Sequence, residues 1–172
     1  MRKLVTLALT AMFFLSGSTL MAQNYKFGHI NSQELLKAMP DMDSAQVKVQ
    51  NYGKTLQDQI EELQVEFNKK YQDYLQKRNT LTPAILEMKE KELTQMQQNV
   101  QEFQQKSEQE YQDFQSQVMK PVIDKANNAI KKVAKDNGFT YVFDTSSGVL
   151  LYFSDQSIDI TPLVKKELGI TK

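Results

Sequence analysis

The sequence predicts an α+β protein in which a long antiparallel two-helix coiled-coil arm projects from a small β-rich body. Three observations carry this. Between Asp41 and Lys120 there is one glycine, Gly53, and one proline, Pro83, so the remainder favours or tolerates helix. Apolar residues recur there at alternating spacings of three and four, the narrow stripe of a coiled coil. On either side lie short runs of aromatic and β-branched residues bounded by Gly, Asn and Ser, the signature of strands.

The first 22 residues read as a secretory leader. Arg2 and Lys3 precede the apolar run Leu4 to Leu15, and small and polar residues lead to Met21-Ala22, with Ala22 before the expected cut. That run is shorter than the ~20 residues a membrane span requires. No Cys is present, so neither a lipoprotein anchor, a disulfide framework nor thiol chemistry is available. Without Arg2 and Lys3, 19 basic residues face 21 acidic ones. The arm, 41–120, holds 10 basic and 14 acidic residues, a balance that argues against nucleic acid as a partner.

After the leader, Tyr25 to Ile30 reads as a strand. Asn31 or Ser32 can cap a short helix, Gln33 to Ala38, that Pro40 ends. Asp41 or Asp43 then caps the outgoing helix. Its stripe is Leu56, Ile60, Leu63, Phe67, Tyr71 and Tyr74, with Leu81 one heptad later. Thr80-Leu81-Thr82-Pro83 breaks the helix and places the tip near 80–84. The return stripe is Leu86, Leu93, Met96, Val100, Phe103, Tyr111, Phe114 and Val118.

Folding the chain back at residue 83 sets Leu81 against Leu86, Tyr74 against Leu93, Tyr71 against Met96 and Phe67 against Val100. Further along, Leu56 meets Tyr111 and Val49 meets Val118, with Ile60 facing the small Ser107 and Gly53 facing Phe114. Each helix of the arm spans roughly 58 Å at ~1.5 Å per residue. Val65 and Leu75 fall off the stripe, as do Ile85 and Met88 near the tip. They read equally as the scattered surface apolar residues normal in any protein or, with Leu81 at the break, as candidates for a low-density apolar surface offered to another chain.

Pro121 is expected to interrupt the return helix. Helix resumes through Val122, Ile123, Ala126, Ala129, Ile130 and Val133, on a wider apolar face suited to covering a sheet. Asn137-Gly138 ends it. Thr140 to Asp144 and Val149 to Phe153 then read as a β-hairpin turned at Thr145-Ser146-Ser147-Gly148. Both faces of the second strand are apolar. Thr161-Pro162 opens a last short helix that Gly169 closes.

The body, 23–40 and 121–172, amounts to only 70 residues. A body of ~70 residues without disulfides is marginal alone, and its strands carry more apolar surface than one helix can cover. Self-association is therefore expected through Phe27, Ile30, Tyr141, Phe143, Val149, Leu150, Leu151, Tyr152 and Phe153.

Residues for chemistry are sparse. His29 is the only histidine and sits among apolar neighbours, which suits a packed or interface residue better than a base or metal ligand. No phosphate loop, nucleophile elbow or dinucleotide fingerprint occurs. No catalytic residue, metal site or cofactor is expected. The Lys131-Lys132 and Lys165-Lys166 pairs read as solvated faces, with weak contact to anionic lipid at a membrane surface as the alternative.

Two blocks resemble the Skp/OmpH family of periplasmic chaperones for outer-membrane proteins. One is Lys26-Phe27-Gly28-His29-Ile30-Asn31. The other runs from Pro121-Val122-Ile123-Asp124-Lys125 through Asn137-Gly138-Phe139-Thr140-Tyr141-Val142-Phe143-Asp144 to Gly148-Val149-Leu150-Leu151-Tyr152 and Asp159-Ile160-Thr161. The resemblance implies a jellyfish-like homotrimer in the periplasm. Small bodies join, and three arms enclose a cavity that holds unfolded outer-membrane β-barrel precursors without ATP. Well-studied members are strongly basic, whereas this chain is close to neutral with an acidic arm, a departure that bears on any client or lipid binding through positive charge. The family's lipid-contact residues have no clear counterpart here, and none is carried over. The alternative function is an envelope scaffold or adaptor that docks one folded partner on its arm.

Overall fold

The computed structural model describes residues 25–170; the expected leader lies outside them. It is mostly helical, with one small sheet. In chain order come β1 (Phe27–Ile30), α1 (Ser32–Lys37), α2 (Pro40–Lys77), a 3₁₀ turn (Arg78–Thr80), α3 (Pro83–Asp136), β2 (Tyr141–Asp144), β3 (Ile158–Asp159) and α4 (Thr161–Glu167).

Local chemistry accounts for most boundaries. The Asn31 side chain accepts from the Glu34 N–H at 3.0 Å and caps α1. Pro40 and Pro83 open α2 and α3, where a missing N–H costs nothing. Met39 rather than an aspartate is the cap residue of α2; Asp41 and Asp43 lie inside its first turn. Gly138, at φ +67°, takes the left-handed conformation that ends α3.

α2 and α3 run antiparallel. Asp41 pairs with Lys125 near the sheet, and Lys70 pairs with Glu92 near the tip. The facing register differs from the expected one by nearly a helical turn. Gly53 faces Tyr111, not Phe114: a Cβ built on Gly53 would come within 2.9 Å of the Tyr111 ring. Phe114 instead stacks on Tyr52, centroids 4.2 Å apart. A 3₁₀ turn, Arg78–Thr80, leads from α2 into the break.

Pro121 does not interrupt α3, which continues unbroken for 54 residues, ~81 Å. A proline inside a helix costs about 3 kcal/mol. Against that stands the burial of Val122, Ala126, Ala129 and Val133, all in the principal core. At about 1.5–3 kcal/mol for each large apolar side chain, burial outweighs the defect.

The expected 140–153 hairpin is not formed. β1 is the central strand, paired in parallel with β2 (Phe27 opposite Tyr141, His29 opposite Phe143) and in parallel with β3 (His29 opposite Asp159). The overrun of α3 past the sheet returns the chain to the start of β1, the crossover a parallel pair requires. Val149 to Phe153 is extended coil, and the third strand is only Ile158–Asp159. The reason is cover. Leu151 is 95 % exposed, and no element of the chain lies over it to reward a strand there.

The core fills the space between one sheet face and the helices. Ile30 from β1, Leu35 from α1, Met39, Met42 and Ala45 around the start of α2, the α3 residues above, and Ile160 and Val164 around α4 form one cluster. Asp144 locks the end of β2 to α1: its carboxylate accepts from the Ser32 N–H and hydroxyl and from the Ser146 N–H. Burial pushes that carboxyl up, but these hydrogen bonds prevail and hold it below its ordinary 3.8. Leu35 is fully buried. Leu35→Ala is expected to cost about 2–5 kcal/mol, read as a lower urea midpoint at unchanged slope.

Candidate functional site

Two surfaces stand out: the open face of the sheet and the flanks of the helical hairpin.

Side chains alternate across a strand. The register therefore places Phe27, His29, Tyr141 and Phe143 on one face of the sheet, opposite the core-facing Ile30 and Val142. The helices cover only the second of these faces. On the first, Phe27 stacks with Tyr141 (6.1 Å) and Phe143 (6.5 Å), and all three remain exposed. His29 is half-buried, with its ring against Phe153 at 4.2 Å and its Nδ1 2.9 Å from the Ser157 hydroxyl. Val149, Leu151, Tyr152 and Phe153 lie exposed, while Leu150 is half-buried. Of the nine residues expected to associate, Ile30 alone is fully enclosed within the chain; it belongs to the core.

Along the hairpin, Leu56 and Leu93 are buried between the helices. Ile60, Leu63, Phe67, Tyr74, Met96, Val100, Phe103, Tyr111 and Phe114 are half-buried. Tyr71 lies more open, at 41 % exposure, its ring nearly parallel to that of Phe67 with centroids 6.0 Å apart. On the flanks Val65, Leu75, Ile85 and Met88 are exposed. Leu81 is half-buried at the turn. Ser107 is buried, with a hydroxyl that finds no hydrogen-bond partner, and lines one groove with Ile60, Gly53 and Tyr111.

The distal half of the hairpin is closed by polar bonds as much as by apolar ones. The Lys70 ammonium reaches across to Glu92, which also accepts from Lys89 at 2.8 Å on its own helix. The Tyr74 hydroxyl donates across to Glu90 at 2.7 Å. Lys70 first, then Lys89, lowers the Glu92 carboxyl from its ordinary 4.5 to about 2. The apolar period alone does not reveal this clasp. Once the register is known, charges of opposite sign at 70 and 92 become legible as a cross-helix pair.

Lys132 bonds Asp136 and Glu167, and Lys165 bonds Glu34. Half of the lysines considered for lipid contact are thus engaged within the chain. Among the described residues no cluster of three or more His, Asp or Glu is placed to hold a metal. No described helix is long and apolar enough to cross a membrane.

A long helical hairpin rooted in a small parallel sheet, with apolar rather than reactive side chains at its surface, defines a protein built around contact surfaces. The chain belongs to the OmpH-like outer membrane protein family: the family described as "Outer membrane protein (OmpH-like)" matches residues 26–168. Its fold is similar to the crystal structure of a candidate outer membrane chaperone (OmpH-like) from Caulobacter crescentus CB15. The TM-score is 0.73 at 13 % identity, over 84 % of this chain and 83 % of that one. No curated protein matches the sequence.

The Glu92 clasp gives a signed expectation. Its carboxyl is lower in the folded chain than in the unfolded one, so the clasp is fully present above about pH 4.5 and is lost as pH falls toward about 2. At neutral pH, Glu92→Gln is expected to speed amide exchange in residues 66–77 and leave residues 42–49 unchanged. Equal exchange in both segments would show that the clasp holds nothing.

Proposed function

We propose that this protein is an ATP-independent periplasmic holdase, not an enzyme. Its sheet-bearing bodies join as a homotrimer, and three helical hairpins hold unfolded outer-membrane β-barrel precursors between them. The observation that carries this reading is the placement of apolar surface. It is concentrated and aromatic on the open sheet face, yet scattered singly along the hairpin flanks at Val65, Leu75, Ile85 and Met88.

The two distributions suit different tasks. A dense face of Phe27, Tyr141 and Phe143, continued by Val149, Leu151, Tyr152 and Phe153, suits permanent burial against copies of itself. Parallel sheets are ordinarily covered on both faces, and here one lacks cover. Sparse contacts on a hairpin suit the opposite: each is weak and opens quickly, but several acting together give avidity. A client can then be retained and released without fuel. Membership of the OmpH-like family and the chaperone-like fold neighbour point the same way. The body is taken as 23–40 and 121–172 and the arm as 41–120, although α3 runs through the boundary as one helix.

Removing residues 60–107 and closing the shortened hairpin with a short turn tests the division of labour. The product is expected to keep the mass of a trimer but lose suppression of aggregation for several unrelated unfolded barrels. Full protection by the truncated form would remove the hairpin as the working surface. Stoichiometric capture of one folded partner, with unfolded chains ignored, would favour the scaffold reading.

A further inference from the structure

His29 occupies an odd place for an ionisable group. It lies on the open aromatic sheet face, between Phe27 and the edge that carries Phe153. We propose that His29 makes self-association through this face proton-sensitive: the assembly forms with the imidazole neutral and weakens when it is charged. This rests on the reading that copies of the chain join through the open sheet face.

The groups around the ring decide the sign. From β2, His29 faces Phe143 in register, with Tyr141 beside it. From β3 its register partner is Asp159, but the Asp159 carboxylate is committed to α4, accepting from the Thr161 N–H at 2.8 Å and hydroxyl at 2.6 Å. No ion pair joins it to His29 among the described residues. The segment after β2 contributes the Phe153 ring and the Ser157 hydroxyl, with the exposed Asp155 between them in sequence. Asp144 and Lys26 are engaged elsewhere, Asp144 by Ser32 and Ser146, Lys26 by the Asn137 carbonyl and the Phe139 ring.

The Ser157 hydroxyl can donate to a bare Nδ1 or accept from a protonated one, so that bond survives either charge state. In a single chain the half-buried ring keeps access to water. When copies cover the face, a charged imidazole loses that water among aromatic neighbours, and among the described residues no carboxylate is bonded to it. Association must then expel the proton. Histidine ordinarily changes charge between about pH 5 and 8. Within that range association should weaken on acidification by up to about tenfold per pH unit for each imidazole covered, and the factors from several copies multiply.

Sedimentation velocity of the full mature chain at about pH 8 and about pH 5.5 tests this, with circular dichroism to verify folding at both. The wild type is expected to be assembled at the higher pH and to dissociate over at least a tenfold higher concentration range at the lower one. His29→Phe should assemble alike at both values. His29→Gln, which keeps a partner for Ser157, serves as the second neutral variant should the Phe variant fold poorly. A wild-type assembly indifferent to pH overturns the proposal and leaves the self-association reading standing. A neutral variant as acid-sensitive as the wild type overturns it by assigning the response to another group. A monomer at both pH values overturns both.

Discussion

The structure depends on one packing contact, the seat of the second half of α3 on the core-facing side of the sheet. Val122, Ala126, Ala129 and Val133 are buried there with Ile30, Leu35, Ile160 and Val164. The same helix, without a break, also forms one side of the hairpin. A defect in the seat would therefore tilt the hairpin as well as loosen the sheet. That shared use explains why Pro121 is tolerated: the helix is held from outside, by burial, where its own hydrogen bonding is weakest.

Energetics grade along the hairpin. Near the sheet, Met42, Ala45 and Val49 are buried and the helices are joined by apolar contact. Toward the tip, burial falls to Leu56 and Leu93, and cross-helix cohesion passes to Lys70, Glu92, Tyr74 and Glu90. Exposed ion pairs contribute little each and are screened by salt. The distal hairpin is thus the easier part to deform, and it is also where the isolated apolar side chains Ile85 and Met88 are displayed. On the proposed holdase reading, a contact surface on a compliant support can follow clients of different shapes.

Much of this fold was legible in the sequence, for identifiable reasons. The two long helices and the break at Thr80 to Pro83 follow from a period that needs only local information. The Asn31 cap and Gly138 terminus follow from side-chain chemistry. What was not legible is non-local. Around Gly53 the facing residue is Tyr111 and not the one that a simple fold-back at residue 83 sets there, and no spacing rule contains that. Composition marked Val149 to Phe153 as a strand, correctly in propensity, yet strand formation needs an edge and a cover that this chain does not provide. The pairing of β1 with Ile158–Asp159, a two-residue strand, is below what any pattern can register. On the open sheet face, aromatic composition announced stickiness, but the seat of His29 between Phe153 and Ser157 required the sheet order.

The long excursion between paired strands sets an order of events during biogenesis. Phe27 is hydrogen-bonded in register beside Tyr141, and the whole helical hairpin lies between them in the chain. Such distant pairing closes late and slowly, after local helices have formed. Until β2 has been made and paired, the aromatic platform does not yet exist. The open face is therefore complete only once the segment beyond α3 has folded back beside β1. Topology acts here as a timer that fixes the order in which surfaces appear.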